Sequence, residues 1–130
     1  MIEETLFTRL STFAGLTALI GTAPVRLFPV IMPQGVTHPA VTYQLISGPR
    51  EAAHGSDPGI VHARYQFTAW AATNAAARNV IKQVRLALER YRVSGVHDCF
   101  IETEYDVFDE AAILHGRGLD VIVHHTEATS

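Results

Sequence analysis

The segment from Ile60 to Tyr91 constrains this chain more than any other, because it joins an alternating stretch to an alanine-rich amphipathic one. In the first half, Val61, Ala63, Tyr65, Phe67 and Ala69 fall on one side of an extended chain. His62, Arg64, Gln66, Thr68 and Trp70 fall on the other, since successive strand side chains point to opposite faces. In the second half, Ala77, Val80, Ile81, Val84, Ala87, Leu88 and Tyr91 recur at helical spacing, and Thr73 or Asn74 stands ready to cap the helix. A strand with one apolar face, followed by a helix with one apolar stripe, buries both by laying the helix on the strand. Alanines near the helix start let the two lie close. Trp70 breaks the polar strand face and needs a cover, a neighbouring subunit being one source of it.

Before this unit, Ile2, Leu6, Phe7 and Leu10 form a helical stripe, with Glu3 and Glu4 at the positive end of the helix dipole. A second short helix begins after Ser11 or Thr12, carries Phe13, Leu16, Leu19 and Ile20, and stops at Gly21. Val25 to Phe28 reads as a short strand closed by Pro29. Pro33-Gln34-Gly35 and Pro39 then break the chain before a strand from Ala40 to Ile46. Gly48 to Gly59 is a turn-rich connector, long for a hairpin loop. After the Ser94-Gly95 turn, Phe100 to Val107 alternates Ile101, Thr103, Tyr105 and Val107 against Glu102, Glu104 and Asp106. A last strand runs from about Gly118 to His124 with Leu119, Val121 and Val123 inward, and Glu127 to Ser130 reads as a frayed tail. The order predicts an α+β fold: an antiparallel or mixed sheet of four to five strands against one long helix, with short N-terminal helices.

At 130 residues the chain reads as one domain over 1–130, with no internal repeat or linker. Charged residues make up 18%, below the roughly 25% usual in globular domains, which points to apolar surface covered by another subunit. The net charge of −3 gives no global attraction to nucleic acid or anionic lipid. Cys99 is the sole cysteine, which excludes an intrachain disulfide and fits a reducing compartment. No apolar run approaches bilayer-spanning length, and the acidic opening Met1-Ile2-Glu3-Glu4 is unlike a secretory leader. The expectation is a soluble cytoplasmic product.

The chemistry-bearing residues do not assemble into a site. His124 and His125 are adjacent on a strand, so their rings point to opposite faces. His97, Asp98 and Cys99 form a compact group without a second cluster at metal-site spacing. Ser47, Ser56 and Ser94 lie in turns, outside any nucleophile-elbow pattern. Glu102 and Glu104 are expected on one strand face, about 7 Å apart, as a solvated acidic face rather than a catalytic pair. Gly48, Gly55 and Gly59 lack a phosphate-loop context, and Gly116-Arg117-Gly118 precedes a strand, not a helix, so these read as turn or bulge glycines. Arg78, Lys82, Arg85 and Arg92 form a basic stripe interrupted by Glu89. It reads as a solvated or protein-contacting face, with an Arg85–Glu89 pair in reach. No enzyme, metal or cofactor is expected.

The order of these segments resembles the tail completion family of long-tailed phages and prophages, which includes tail-to-head joining and tail terminator proteins. The opening through Leu19-Ile20-Gly21 resembles its N-terminal helices. Arg26-Leu27-Phe28-Pro29 with Pro33-Gln34-Gly35 resembles its Pro-Gln-Gly segment, and Pro39-Ala40-Val41-Thr42-Tyr43 its proline-led strand. Arg64 to Ala71 and the helix with Ala76, Val80 and Val84 carry the strongest similarity. The resemblance implies a non-enzymatic virion protein, assembled in host cytoplasm. It implies a ring, commonly a hexamer, that caps the head-proximal end of the tail tube and meets the head connector. The tail tube protein, the connector protein and DNA passing through the lumen without specific binding are then its partners. The connector Gly48 to Gly59 resembles the family's variable loop and is expected to face a partner. The candidate subunit or partner interface comprises Arg50, Glu51, His54, Trp70, Arg78, Lys82, Arg85, Glu102 and Glu104. The competing reading is a small non-catalytic ligand-binding or regulatory α+β module.

Overall fold

The computed structural model describes residues 2–48 and 60–126. Helices α1 (Ile2–Ser11) and α2 (Ala14–Ile20) open the chain, followed by strands β1 (Leu27–Pro29), β2 (Ala40–Ser47) and β3 (Ile60–Ala71). The long helix α3 (Asn74–Leu88) comes next, then β4 (Val96–Asp109) and β5 (Leu114–Thr126). The five strands form one mixed sheet in the order β1-β2-β3-β5-β4. Only β1 and β2 run parallel; the remaining neighbours are antiparallel. The architecture is the α+β arrangement expected from the order of elements.

The alternation along β3 sorts its residues as the pattern predicts. Val61, Ala63, Tyr65, Phe67, Ala69 and Ala71 are buried on one face, where they meet Leu119, Val121 and Val123 of β5 and the buried stripe Ala77, Val80, Ile81, Val84, Ala87 and Leu88 of α3. Thr73 caps α3, its Oγ1 accepting a hydrogen bond from the Ala76 N–H at 3.1 Å. The helix ends where Glu89 N–H bonds Arg85 O at 2.8 Å and Arg90 turns left-handed at φ 57°. Leu6, Leu10, Leu16 and Ile20 of the N-terminal helices complete the same core. Arg9 ties α1 to the end of α3. Its Nε donates to Ala87 O at 2.8 Å while the guanidinium lies 4.6 Å from the Tyr91 ring and 5.1 Å from Phe13. Gly21, at φ 83°, closes α2 as its position predicts.

Three sequence expectations are corrected here. The first strand is shorter and later than Val25 to Phe28, running Leu27–Pro29; just before it, Arg26 O accepts from the Val41 N–H at 2.9 Å while the Arg26 guanidinium donates to Pro39 O and Leu19 O. The last two strands are much longer than predicted, since pairing with β5 carries polar and glycine residues into the ladder that alternation alone does not mark. Gly116, expected as a turn or bulge glycine ahead of the last strand, lies within it and pairs Trp70 and Val107, while Gly118, the expected strand start, pairs Thr68 and Tyr105.

Candidate functional site

Helix α3 covers one face of the sheet and leaves the other to its own side chains. On that open face Gln44 Nε2 donates to Gln66 Oε1 at 3.1 Å, Gln66 donates to the Tyr105 hydroxyl, and Tyr105 donates to Asp120 Oδ1 at 3.0 Å. Burial, more than the hydrogen bond to Asp120, raises the Tyr105 phenol above its ordinary value, so this row stays a fixed, neutral hydroxyl between amide and carboxylate. His62 and His124 face each other across the ladder with ring centres 4.2 Å apart, and Phe100 lies 5.1 Å from His124. His125 is buried on the other side, so the adjacent histidines do point apart.

Trp70 finds most of its cover within the subunit. Its ring lies over Gly116, where a Cβ would come within 2.9 Å of Trp70 Cζ3, and its Nε1 donates to Thr42 Oγ1 at 3.1 Å. The exposed part of the indole joins Leu114 and Met32 in lining an open cleft of about 500 Å³. The β1–β2 loop forms one wall with Val30 and Ile31, and Asp109 at the end of β4 with Ala112 of the β4–β5 connection forms another. Sequence reasoning singled out Trp70 but missed Val30, Ile31 and Ile113. Their aliphatic side chains are 61%, 75% and 74% exposed. The signal was in their setting, apolar residues within turn-rich segments.

The acidic strand is arranged differently from the expectation. A bulge leaves Glu102 as an extra residue between the Ile101–Val121 and Thr103–Asp120 pairs, and such an insertion reverses the sidedness that follows. Glu102 therefore pairs with Arg64 on the open face. Glu104 lies on the helix side, accepting from Arg85 Nη1 at 2.8 Å and Arg117 Nε at 2.7 Å. Asp106 accepts from Arg117 Nη1 at 2.7 Å and from Asn74 Nδ2 at 3.1 Å. Glu102 and Glu104 thus do not share a face, and arginines neutralise both.

The basic stripe is split by the same contacts. Arg85 turns to Glu104 rather than Glu89, and Arg92 lies beyond the helix, bonding Asp98 at 3.1 Å. Arg78 and Lys82 stay exposed on α3. Arg50, Glu51 and His54 lie outside the described residues, as does the rest of the connector beyond Gly48.

The His97-Asp98-Cys99 group is also dispersed. His97 contacts Thr126 Oγ1 at 2.5 Å, Asp98 engages Arg90 and Arg92, and Cys99 is buried. Burial, helped by the nearby Asp98 charge, pushes the Cys99 thiol up to about 12, the opposite of what a nucleophile needs. Among the described residues, no three His, Cys, Asp or Glu side chains gather as a metal site. What this surface offers is contact: an apolar cleft with an acidic edge, and a separate basic helix face.

Residues 4–123 match the family model described as Tail completion protein gp17. The chain belongs to this tail completion protein family. Its role is accordingly structural, in tail assembly, and not enzymatic. The fold is similar to that of a chain in the structure titled "Virion of native gene transfer agent (GTA) particle", at a TM-score of 0.67 over 94% of this chain and 92% of that one. Identity between the two is 19%, so this likeness speaks for the fold. No curated protein matches the sequence.

Proposed function

We propose that this tail completion protein closes into a ring, a hexamer in its simplest form, on the head-proximal end of the tail tube. There it stops tube growth and presents the surface that meets the head connector. Family membership across residues 4–123 is the observation that carries this reading. The exposed aliphatic residues Val30 and Ile31 on the cleft, with Ile113 beside its lining residues Ala112 and Leu114, support it, because exposed apolar surface marks contact sites. DNA passes through the lumen without specific binding. The net charge of −3 is consistent with that, whereas Glu102 and Glu104 are neutralised by arginines and do not supply a repelling strip.

Electron microscopy of a gene deletion tests the proposal. The expected result is filled heads and tails that fail to join, or tails with uncontrolled ends, with normal joining restored by added protein. Full-length, infectious particles made without the protein would rule the proposal out.

A further inference from the structure

We propose that a second copy of this chain covers the Trp70 cleft, using the outward stripe of α3, with Leu86 entering the cleft and Arg78 and Lys82 meeting Asp109 and Glu110. This rests on the ring reading above and names the two surfaces that would build the ring.

The cleft is shaped as a receptor. Both of its flanking loops hold a β-branched residue in the left-handed region, Val30 at φ 62° and Ile113 at φ 53°. This conformation is unfavourable for such side chains, and residues held in it concentrate at contact and functional sites. Val30 lines the cleft beside an apolar floor of Trp70, Met32 and Leu114, and Ile113 lies between the lining residues Ala112 and Leu114; both are exposed. The end of β4 and the start of the β4–β5 connection add negative charge, with Asp109 and Glu110 both exposed. Asp109 is fixed in position by the Ala112 N–H, which donates to its Oδ1 at 3.1 Å. His38 is the remaining titratable group on the lining.

The helix supplies the complement. Arg78, Lys82 and Leu86 are spaced four apart, which places them on one line along α3. Arg78 and Lys82 are exposed, and Leu86 is 50% exposed despite the fully buried stripe on the opposite side of the same helix. An apolar side chain behind two cations fits an apolar cleft edged by the Asp109 carboxylate, with Glu110 next to it in the chain. Helix α3 packs on one face of the sheet and Trp70 sits on the other, so no subunit can fill its own cleft with its own helix. The contact is therefore heterologous, the kind that generates rings when its rotation closes.

Cross-linking in assembled particles tests this. A full-length variant carrying Ile31→Cys and Leu86→Cys replaces the wild type, and particles are treated with a short bismaleimide; buried Cys99 stays out of reach. A ladder of cross-linked multimers is expected from the double variant, and monomer alone from each single variant. Normally completed tails whose double variant stays monomeric would overturn the interface while leaving the tail role intact. Dimers from Ile31→Cys alone, or cross-links to a different protein, would overturn it as well. As a second arm, Lys82→Glu should reduce the ladder to background, and adding Asp109→Lys should restore it. Unchanged ladders in Lys82→Glu would remove the charge pairing from the proposal.

Discussion

The ring of Tyr105 lies over Gly118, in the space a side chain at residue 118 would need. The two residues are paired across β4 and β5, and the absence of a Cβ lets the phenol drop onto the sheet and reach both Gln66 and Asp120. This part of the open face is thus covered by a side chain from the edge strand rather than by a helix.

Replacing Gly118 by alanine should therefore displace Tyr105 and cost about 1–3 kcal/mol, the usual penalty for overpacking. Combining Gly118→Ala with Tyr105→Ala should cost less than the sum of the two, because the second change removes the clash. Equilibrium denaturation of the three variants measures this, and strict additivity would contradict the packing described.

Phe67 is buried at the centre of the core, 6.3 Å from the Tyr43 ring and 6.4 Å from the Tyr65 ring. Truncation to alanine should cost about 3–5 kcal/mol. A loss below about 1 kcal/mol by denaturant titration would mean that the sheet–helix core collapses around the gap more completely than close packing allows.

Glu104 joins helix and sheet by bonding Arg85 of α3 and Arg117 of β5 together. These groups are partly exposed, so solvent screens the pairs, and Glu104→Ala should cost only about 1–2 kcal/mol. A double-mutant cycle with Arg85→Ala should return a coupling above about 0.5 kcal/mol that weakens with added salt. Zero coupling at low salt would show that the pair contributes nothing to holding the helix.

Burial acts to raise the Asp98 carboxyl, but the hydrogen bonds from Arg92 and the Cys99 N–H and the charges of Arg90 and Arg92 outweigh it. The group is held below its ordinary value. Asp106 is lowered as well, first by its hydrogen bond from Arg117 and then by that from Asn74. A carboxylate depressed in the folded state contributes stability that is present above its unfolded pKa, about 3.9. That contribution is lost as pH falls through the lower folded value. Unfolding midpoints should accordingly drop from about pH 4 downward, and the drop should be shallower in Asp98→Asn, which is also less stable at neutral pH. Parallel acid profiles for variant and wild type would sink the assignment to Asp98.

The residues of β3 and α3 announced their own structure. Alternation at Val61 to Ala71 and helical spacing at Ala77 to Leu88 are local periods, and each face followed from them without knowledge of neighbours. A cap at Thr73 or Asn74 and the Gly21 stop were legible for the same reason, and the structure puts the cap at Thr73. Strand order, the bulge at Glu102 and the partner of Arg85 were not. The bulge exists only in register with β5, and it turned Glu104 away from Glu102 toward an arginine on the helix and another on the neighbouring strand. Gly116 likewise reads as a turn or bulge glycine by itself, and only the sheet shows that Trp70 and Tyr105 occupy the space above Gly116 and Gly118. The same holds for the cleft, whose walls come from segments far apart in sequence, Val30–Ile31 and Asp109–Ala112. Period and capping are properties of a dozen consecutive residues, so the sequence alone determined β3, α3 and their buried faces. Pairing register, cross-sheet ion pairs and surface shape depend on contacts between distant segments, and only the tertiary structure decided them.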